Sequence, residues 1–227
     1  MCGRFVLTAN PEMVQQAFNL TTPPAQMQPR YNIAPTQPIM VITNENPTEV
    51  TYHRWGLIPS WAKDMSMASN MINARSESAA EKPAYRAAFR RRRCIIPTDG
   101  FYEWQEHGEN KKTPMFIHRP NNALYGMAGL WEIWHDPDGG ELRTCAILTT
   151  DANSFMQQFH HRMPVIIHPE DYALWLSPDE KPLPVLQGLM KAYDVDGLQA
   201  YPVSKAVNKV SNDSPQLMEP FNQQYLL

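Results

Sequence analysis

Short apolar runs dominate this chain, and helical periodicity is rare. The runs that predict strands lie at 4–7, 39–43, 50–55, 101–107, 115–118, 124–131, 142–149, 165–167 and 198–203. Gly108, Glu109 and Asn110 lie between two of these runs, which predicts a hairpin there. Because strands outnumber helices and do not alternate with them regularly, the pattern predicts an α+β fold with a mostly antiparallel, curved sheet.

Two segments have the spacing of an amphipathic helix. In the first, residues 10–20, Asn10 is a candidate cap and Pro11 suits the first turn. The second helix is predicted over 83–93. The predicted inward faces carry Val14, Ala17 and Phe18 in the first helix and Tyr85, Ala88 and Phe89 in the second. The Pro-rich segment 21–38 is the best candidate for a loop.

Composition indicates a folded domain. Hydrophobic residues make up 43% of the 227 residues, which excludes a disordered chain. The 21 prolines accompany only 10 glycines, so the prolines are interpreted as rigid turns and strand breaks within a fold. The length permits one large or two small domains. Since no internal repeat or long linker divides the chain, a single domain over 1–227 is expected.

Charge and hydropathy limit the partners and the location. The net charge of −3 argues against a protein that coats nucleic acid by bulk charge, although it permits a local basic site. No apolar run approaches the ~18 residues of a membrane span, and the N-terminus lacks the apolar core of a signal peptide. We therefore expect a cytoplasmic protein with no membrane partner.

The cysteines and histidines do not predict a metal site. Cys2, Cys94 and Cys145 are odd in number, far apart and without a C-x-x-C pair. The seven histidines show no H-E-x-x-H or similar spacing. Neither a disulfide framework nor a bound metal is expected.

Cys2 is the first residue with distinctive chemistry. If Met1 is removed, residue 2 carries an α-amine and a thiol on adjacent carbons. The amine, with a pKa near ~7.7–8.0, can condense with an aldehyde to a Schiff base, and the thiol can then close a thiazolidine ring. Alternatively the thiol is a nucleophile for acyl transfer with the amine as its base. A buried cysteine without a role is the third interpretation.

Two further segments suit proton transfer. On a strand, Glu103 shares a face with Phe101 and Gln105, so desolvation should raise its pKa and suit it to general acid catalysis. A glutamate at an exposed rim is the alternative. His160 and His161 precede Arg162, a pattern that fits proton transfer beside a phosphate contact but is weak evidence alone.

Three segments each have a functional and a structural interpretation. The arginine run 90–93 is either a solvated helix end or a phosphate contact. Segment 54–63 interleaves Trp55 and Trp61 with basic residues, which fits stacking on bases or simply two core tryptophans. The polar cluster 73–77 either orients a substrate or forms a turn.

Six motifs together are more specific than any one of them. They are MCGRF at 1–5, YNIAPT at 31–36, WGLIPSW at 55–61, NARSE at 73–77, DGFYEW at 99–104 and HHRMP at 160–164. In this order they strongly resemble the SOS response-associated peptidase family, over residues 2 to about 212. The resemblance implies one α+β domain with a β-barrel-like core and flanking helices.

The resemblance also implies an activity. Members of this family sense abasic sites in single-stranded DNA and crosslink to them through a thiazolidine at the mature N-terminal cysteine, without a metal or organic cofactor. Strand cleavage by β-elimination through the Schiff base is a further implied activity. A monomer that is nucleoid-associated when bound to DNA is expected. A thiol peptidase or autopeptidase using Cys2 with His160 and Asn73, and a non-catalytic binder of modified DNA, are the alternatives.

Site residues follow from the same resemblance. The implied catalytic residues are Cys2, Asn73, Glu103, Thr149 and His160. The implied DNA-binding residues are Arg4, Pro35, Trp61, Arg75 and Arg162. Asn73 would position the sugar and the N-terminus, and Glu103 and His160 would handle protons, with Thr149 nearby. The arginines would contact phosphates while Pro35 and Trp61 pack against nucleotides. His161 could substitute for His160.

Overall fold

The structure is a computed structural model that describes residues 2–108 and 111–221. Strands predominate in it. They are β1 (Phe5–Leu7), β2 (Arg30–Ile33), β3 (Pro38–Thr43), β4 (Asn46–Trp55), β5 (Asn73–Arg75), β6 (Arg93–Thr98), β7 (Gly100–Glu106), β8 (Lys112–His118), β9 (Tyr125–His135), β10 (Glu141–Asp151), β11 (Arg162–Pro164), β12 (Ile166–Ile167) and β13 (Gln199–Pro202). The helices are α1 (Pro11–Phe18), α2 (Ser76–Ala79), α3 (Arg86–Arg91), α4 (Tyr172–Trp175) and α5 (Leu183–Gly188).

The larger of two sheets closes into a barrel. Its strand order is β11-β10-β4-β3-β6-β9-β12, and β9 also pairs with β10, so the path β10-β4-β3-β6-β9 returns to its start. The long antiparallel pairing from Glu141↔His135 to Ile147↔Gly129 makes the closure. Strand β10 runs parallel to β4 and β5, and the other pairings of this sheet are antiparallel. The predicted α+β fold with a mostly antiparallel, barrel-like core is confirmed.

The second sheet carries the N-terminus. Its order is β13-β8-β7-β1-β2, and all of its pairings are antiparallel. Strands β7 and β8 form the predicted hairpin, in register from Gly100↔His118 to Glu106↔Lys112. Within the predicted turn, Glu109 and Asn110 lie outside the described residues.

The first predicted helix is confirmed and the second is shorter than expected. In α1, the side chain of Asn10 accepts the backbone N–H of Met13, and the inward Val14 and Phe18 are buried. Helix α3 ends at Arg91 because Asn44 bonds the chain on both sides of that point. Its Nδ2 donates to the Arg91 carbonyl at 3.0 Å and its Oδ1 accepts from Arg93 N at 2.8 Å, which directs residue 93 into β6.

The arginine run divides in two: Arg90 and Arg91 are exposed in the last turn of α3, as expected of a solvated helix end, whereas Arg92 and Arg93 are packing residues. The Arg93 side chain is completely buried, and it donates to the carbonyls of Trp175 at 2.8 Å, Ser177 at 2.6 Å and Arg90. Arg92 pairs with Glu132 at 2.7 Å. Neither a solvated helix end nor a phosphate contact describes these two residues.

Among the described residues, no helix has both the length and the apolar character needed to cross a bilayer.

Candidate active site

Residue 2 lies where the two sheets meet. Strand β1 pairs with β7 through Phe5↔Phe101, and Tyr102 N donates to the Arg4 carbonyl at 2.9 Å. This antiparallel register carries the chain before β1 toward the middle of β7, where Glu103 lies. Asn73, the first residue of β5, donates its side-chain N–H to the Cys2 carbonyl at 3.1 Å. The structure therefore brings together Cys2, Asn73 and Glu103, which are far apart in sequence.

Cys2 is completely buried in the chain that carries residue 1. Burial, and secondarily the negative charge of Glu103, raises the pKa of its thiol well above the usual value. The thiol is therefore protonated at neutral pH, and its reactivity must depend on processing of the N-terminus or on transfer of its proton to a neighbour.

Glu103 is a buried carboxyl rather than an exposed one. Only 4% of the residue is accessible, and desolvation raises the pKa of its carboxyl, as predicted from its place beside aromatic residues. A raised pKa increases the protonated fraction near neutral pH. The group can therefore donate a proton to a leaving oxygen, which an exposed glutamate could scarcely do.

The ring of His160 is fixed by the backbone beside it. Its Nδ1 accepts the N–H of Arg162 at 2.9 Å, so the proton of the neutral ring is on Nε2. The ring stacks on His161 with centroids 4.3 Å apart. Burial, with repulsion from His161 contributing, lowers the pKa of His160 to about 4. His160 is thus a neutral hydrogen-bond donor near pH 7, whereas His161 is exposed.

An open cleft of about 700 Å³ lies between Glu103 and His160. Its lining comprises Glu103, Trp104, Glu106, Lys112, Gln157, Gln158, Phe159, His160 and His161. The cleft is therefore bounded by the β7–β8 hairpin on one side and by the segment before β11 on the other. Glu103 and His160, whose pKa values are shifted mainly by burial, both face it.

Arg162 and Thr149 are buried beside the cleft rather than displayed on it. Arg162 makes a bidentate pair with Glu77, with both N–O distances 2.8 Å, and contacts Asp151 at 2.6 Å. It also donates to the Thr149 carbonyl at 2.6 Å. Only 6% of the Arg162 side chain is exposed, so a phosphate contact there would require the ion pairs to break. Its geometry favours positioning of the His160 segment.

The remaining predicted DNA contacts differ in accessibility. Trp61 is 59% exposed and Arg75 is also exposed, so both are available to a ligand. Pro35 is half-buried. Arg4 is half-buried, with Nη1 donating to Asn32 Oδ1 and to the Val207 carbonyl, both at 2.7 Å. Of the two tryptophans in segment 54–63, Trp55 is a core residue, since its indole is buried and donates to the Ile72 carbonyl.

Sequence reasoning missed several residues of this region. Glu77 anchors Arg162, and its place four residues after Asn73 in one polar motif was the available signal. Tyr125 was missed as well. Its hydroxyl is buried without a hydrogen-bond partner among the described residues, and burial, with the nearby Cys2 contributing, raises its pKa well above the usual value. Nothing in the local sequence marks this tyrosine.

The described part of the chain contains no cluster of three His, Cys, Asp or Glu side chains placed to hold a metal ion. The arrangement around residue 2 is instead one of organic acid–base groups: a thiol, a carboxyl, a primary amide and an imidazole.

Fold and site together define a class: an α+β barrel protein in which Cys2 lies beside a buried carboxyl, at a cleft that a neutral histidine also lines. The model of the SOS response associated peptidase family matches residues 1–210, and the chain belongs to that family.

Two relatives of this chain are both named abasic site processing proteins. The abasic site processing protein YoqW of Bacillus subtilis is 43% identical over 222 residues, which cover 96% of this chain and 99% of YoqW. The abasic site processing protein HMCES of Gallus gallus is 34% identical over 191 residues, covering 74% of this chain and 56% of HMCES. An X-ray structure of a protein from Bacteroides thetaiotaomicron matches with a TM-score of 0.89 at 27% identity, over 97% of this chain and all of that one.

Proposed function

We propose that this protein processes abasic sites in single-stranded DNA by capturing the open-chain sugar aldehyde at Cys2 once Met1 has been removed. The observation that carries the proposal is the position of Cys2. Its carbonyl accepts from Asn73, and its thiol lies near enough to Glu103 to be affected by that charge, while Glu103 and His160 line one cleft. The names of YoqW and HMCES support the choice of an abasic site as the substrate.

The covalent chemistry follows from the 1,2-aminothiol. The α-amine adds to C1′ of the aldehyde to give a carbinolamine, which loses water to become a Schiff base. The sulfur then adds to the same carbon while the thiol proton passes to the nitrogen. The product is a thiazolidine, and one water is released per crosslink. The departing hydroxyl needs a proton, which the buried carboxyl of Glu103 supplies.

Asn73 and His160 have complementary positioning roles. Asn73 holds the Cys2 carbonyl through Nδ2, and its buried Oδ1 has no hydrogen-bond partner among the described residues. That oxygen is therefore an acceptor for the α-amine or a sugar hydroxyl. The Nδ1 of His160 is occupied by backbone, so its Nε2–H is the group that can donate to the sugar ring oxygen during opening.

The burial of Cys2 makes processing of the N-terminus central. A chain that keeps residue 1 has no free amine at Cys2, and its thiol is inaccessible and protonated. Such a chain is expected to be inert toward aldehydes. Removal of one residue supplies the amine and opens a path to the thiol.

The test is the covalent complex itself. Single-stranded DNA with one abasic site is expected to give a band that survives boiling in detergent, with an intact mass equal to protein plus DNA less one water. Cys2→Ala should abolish the band, and an uncleaved N-terminal tag should do so too. A band that persists undiminished in Cys2→Ala would falsify the thiazolidine mechanism.

The name of the family favours a peptidase as the second candidate function. Digestion of casein or a peptide library that depends on Cys2, without any DNA band, would support it. The raised pKa of the thiol disfavours cleavage of other peptides by the chain that keeps residue 1, because peptide cleavage by cysteine requires a thiolate.

A further inference from the structure

A second cavity lies beside the turn end of the β7–β8 hairpin. It measures about 520 Å³ and is lined by residues of the hairpin and of the C-terminal region. We name it the basic pocket, and its defining residues are His107, Lys111, Lys112, Ser204, Lys205 and Phe221. None of its described lining residues is acidic, in a chain whose net charge is −3. A concentration of lysines on an acidic protein is a local attraction for anions.

The basic pocket and the catalytic cleft are neighbours. Lys112 lines both cavities. It pairs with Glu106 at 2.6 Å, but both side chains are more than half exposed, so phosphate can compete for the lysine at little cost. From Glu103 to Glu106 the hairpin extends three residues, roughly 10 Å at ~3.4 Å per residue. A stacked strand covers that distance in about three nucleotides at ~3.4 Å each.

An aromatic ring accompanies the lysines. Phe221 is 37% exposed, and its backbone N–H donates to the Pro202 carbonyl at 2.7 Å, which fixes it to the end of β13. His107 Nε2 and Thr113 Oγ1 lie 3.1 Å apart, which ties the two strands together at the turn end of the hairpin. Lysines beside an exposed ring are the combination used by proteins that bind single strands, with phosphate contacts and base stacking together.

We propose that the basic pocket is a second nucleotide subsite, which binds the strand on one side of the abasic nucleotide through phosphate contacts to Lys111 and Lys205 and stacking on Phe221. The inference rests on the proposed function, since it takes the catalytic cleft as the place of the abasic sugar. It assigns DNA contacts to residues outside all six sequence motifs.

Binding without chemistry tests the subsite. The probe is a fluorescent single-stranded oligonucleotide whose abasic sugar has been reduced to the alcohol, so that no aldehyde can react. Its Kd is measured by anisotropy between 0.1 and 1 M salt. Lys111→Ala/Lys205→Ala should lower the salt slope by about 1.4, because each neutralised phosphate of a single strand adds ~0.7 to the slope. If the affinities converge at 1 M salt, this slope corresponds to a roughly 25-fold weaker Kd at 0.1 M.

The matched control removes the same charge elsewhere. Arg90→Ala/Lys181→Ala deletes two cations that pair with Glu180 and Asp179 and line neither cavity. If the control changes the slope as much as the lysine pair does, or if the lysine pair changes nothing, the subsite is refuted. Phe221→Ala should weaken Kd about fivefold or more with the salt slope unchanged, and Phe221→Trp should restore it.

Strand trimming and crosslinking separate this inference from the proposed function. Shortening the oligonucleotide on only one side of the abasic position should remove the effect of the lysine substitutions, and no effect from either side would contradict the subsite. At reactive-DNA concentrations below Kd, Lys111→Ala/Lys205→Ala should crosslink more slowly in proportion to its weaker Kd, whereas the control Arg90→Ala/Lys181→Ala should crosslink as fast as wild type. If the wild type forms no crosslink, the proposed function fails, while the salt slopes still decide whether the pocket binds DNA.

Discussion

Charged and titratable groups are buried both beside the cleft of Glu103 and His160 and in the barrel, yet with different consequences. In the barrel, Arg93 is completely enclosed and its guanidinium is matched by backbone carbonyls. At the cleft, Arg162 is nearly as buried but is matched by carboxylates, on a segment that carries His160. The first arginine ties elements of the fold together, whereas the second orients a group that faces solvent.

The barrel and the cleft can also be compared through the pKa values of one histidine in each, His53 and His160. His53 is completely buried in β4, edge-on to Trp131, and its ring nitrogens have no hydrogen-bond partners among the described residues. Desolvation lowers its pKa to about 4, the same value as for His160. A shifted pKa therefore does not by itself mark a site. What distinguishes His160 is that it lines an open cleft together with Glu103.

The barrel side of the comparison predicts the largest change in stability. Arg93→Ala leaves three backbone carbonyls without their donor and creates a void, so we expect a loss of about 3–5 kcal/mol in the free energy of unfolding by urea denaturation. The folded fraction should still crosslink abasic DNA at the wild-type rate. A selective loss of crosslinking in folded protein would show that the two regions are coupled.

The cleft side predicts a large change in rate with little change in stability. Glu103→Gln removes the proton donor for loss of water, so crosslinking should slow about 100-fold in a single-turnover gel assay. Because an ionised carboxyl is costly to bury, the free energy of unfolding should be equal or higher. Affinity for the reduced abasic oligonucleotide serves as the control, and an equal loss of affinity would contradict the role of Glu103 as a proton donor.

Substitutions of His53 and His160 should differ in their effects on stability at acid pH and on crosslinking. The unfolded chain protonates a histidine below pH ~6.5, whereas the folded chain resists until about pH 4, so stability is lost as pH falls through this window. His53→Leu should flatten that loss by on the order of 2 kcal/mol, measured by urea denaturation at several pH values, without affecting crosslinking. His160→Gln should flatten it less, because the residue is more exposed, and should slow crosslinking. If both variants changed stability and the crosslinking rate equally, the proposed difference between the barrel and the cleft would be contradicted.

The smallest effect is expected at Glu77. Its side chain is 49% exposed, so Glu77→Gln should cost under about 1 kcal/mol of stability, by thermal unfolding. Crosslinking should nevertheless slow severalfold, because the segment that carries His160 loses an anchor. High salt, which screens the Arg162–Glu77 ion pair, should slow crosslinking by the wild type in the same way. It should have little further effect on Glu77→Gln. An unchanged rate would mean that Asp151 and Thr149 suffice to hold Arg162.

Local patterns predicted much of the secondary structure. The capped helix α1 and the β7–β8 hairpin depend on neighbouring residues, and both are found where they were expected. Helix α3 was overpredicted because its end is determined by Asn44, which lies 47 residues before Arg91 in sequence. A contact at such separation leaves no periodic signal near the helix.

In the candidate site, too, some features were predictable from local sequence and others were not. Six short motifs identified the residues and, by resemblance, the family, and the aromatic neighbours of Glu103 predicted its raised pKa. The ion pairs of Arg162 and the burial of Cys2 were not predictable from those motifs, since each depends on partners from other strands. The roles assigned to individual site residues stay predictions.

By itself, the sequence determined the strand-rich class, the hairpin, the first helix and the identity of the reactive groups. These depend on side-chain alternation, capping and functional-group chemistry, which are local properties. Only the tertiary structure decided that β9 and β10 close the barrel, that Cys2 and Asn73 meet beside the cleft of Glu103 and His160, and which arginines are internal. Desolvation and ion pairing act between residues that are distant along the chain, so they take effect only once it has folded.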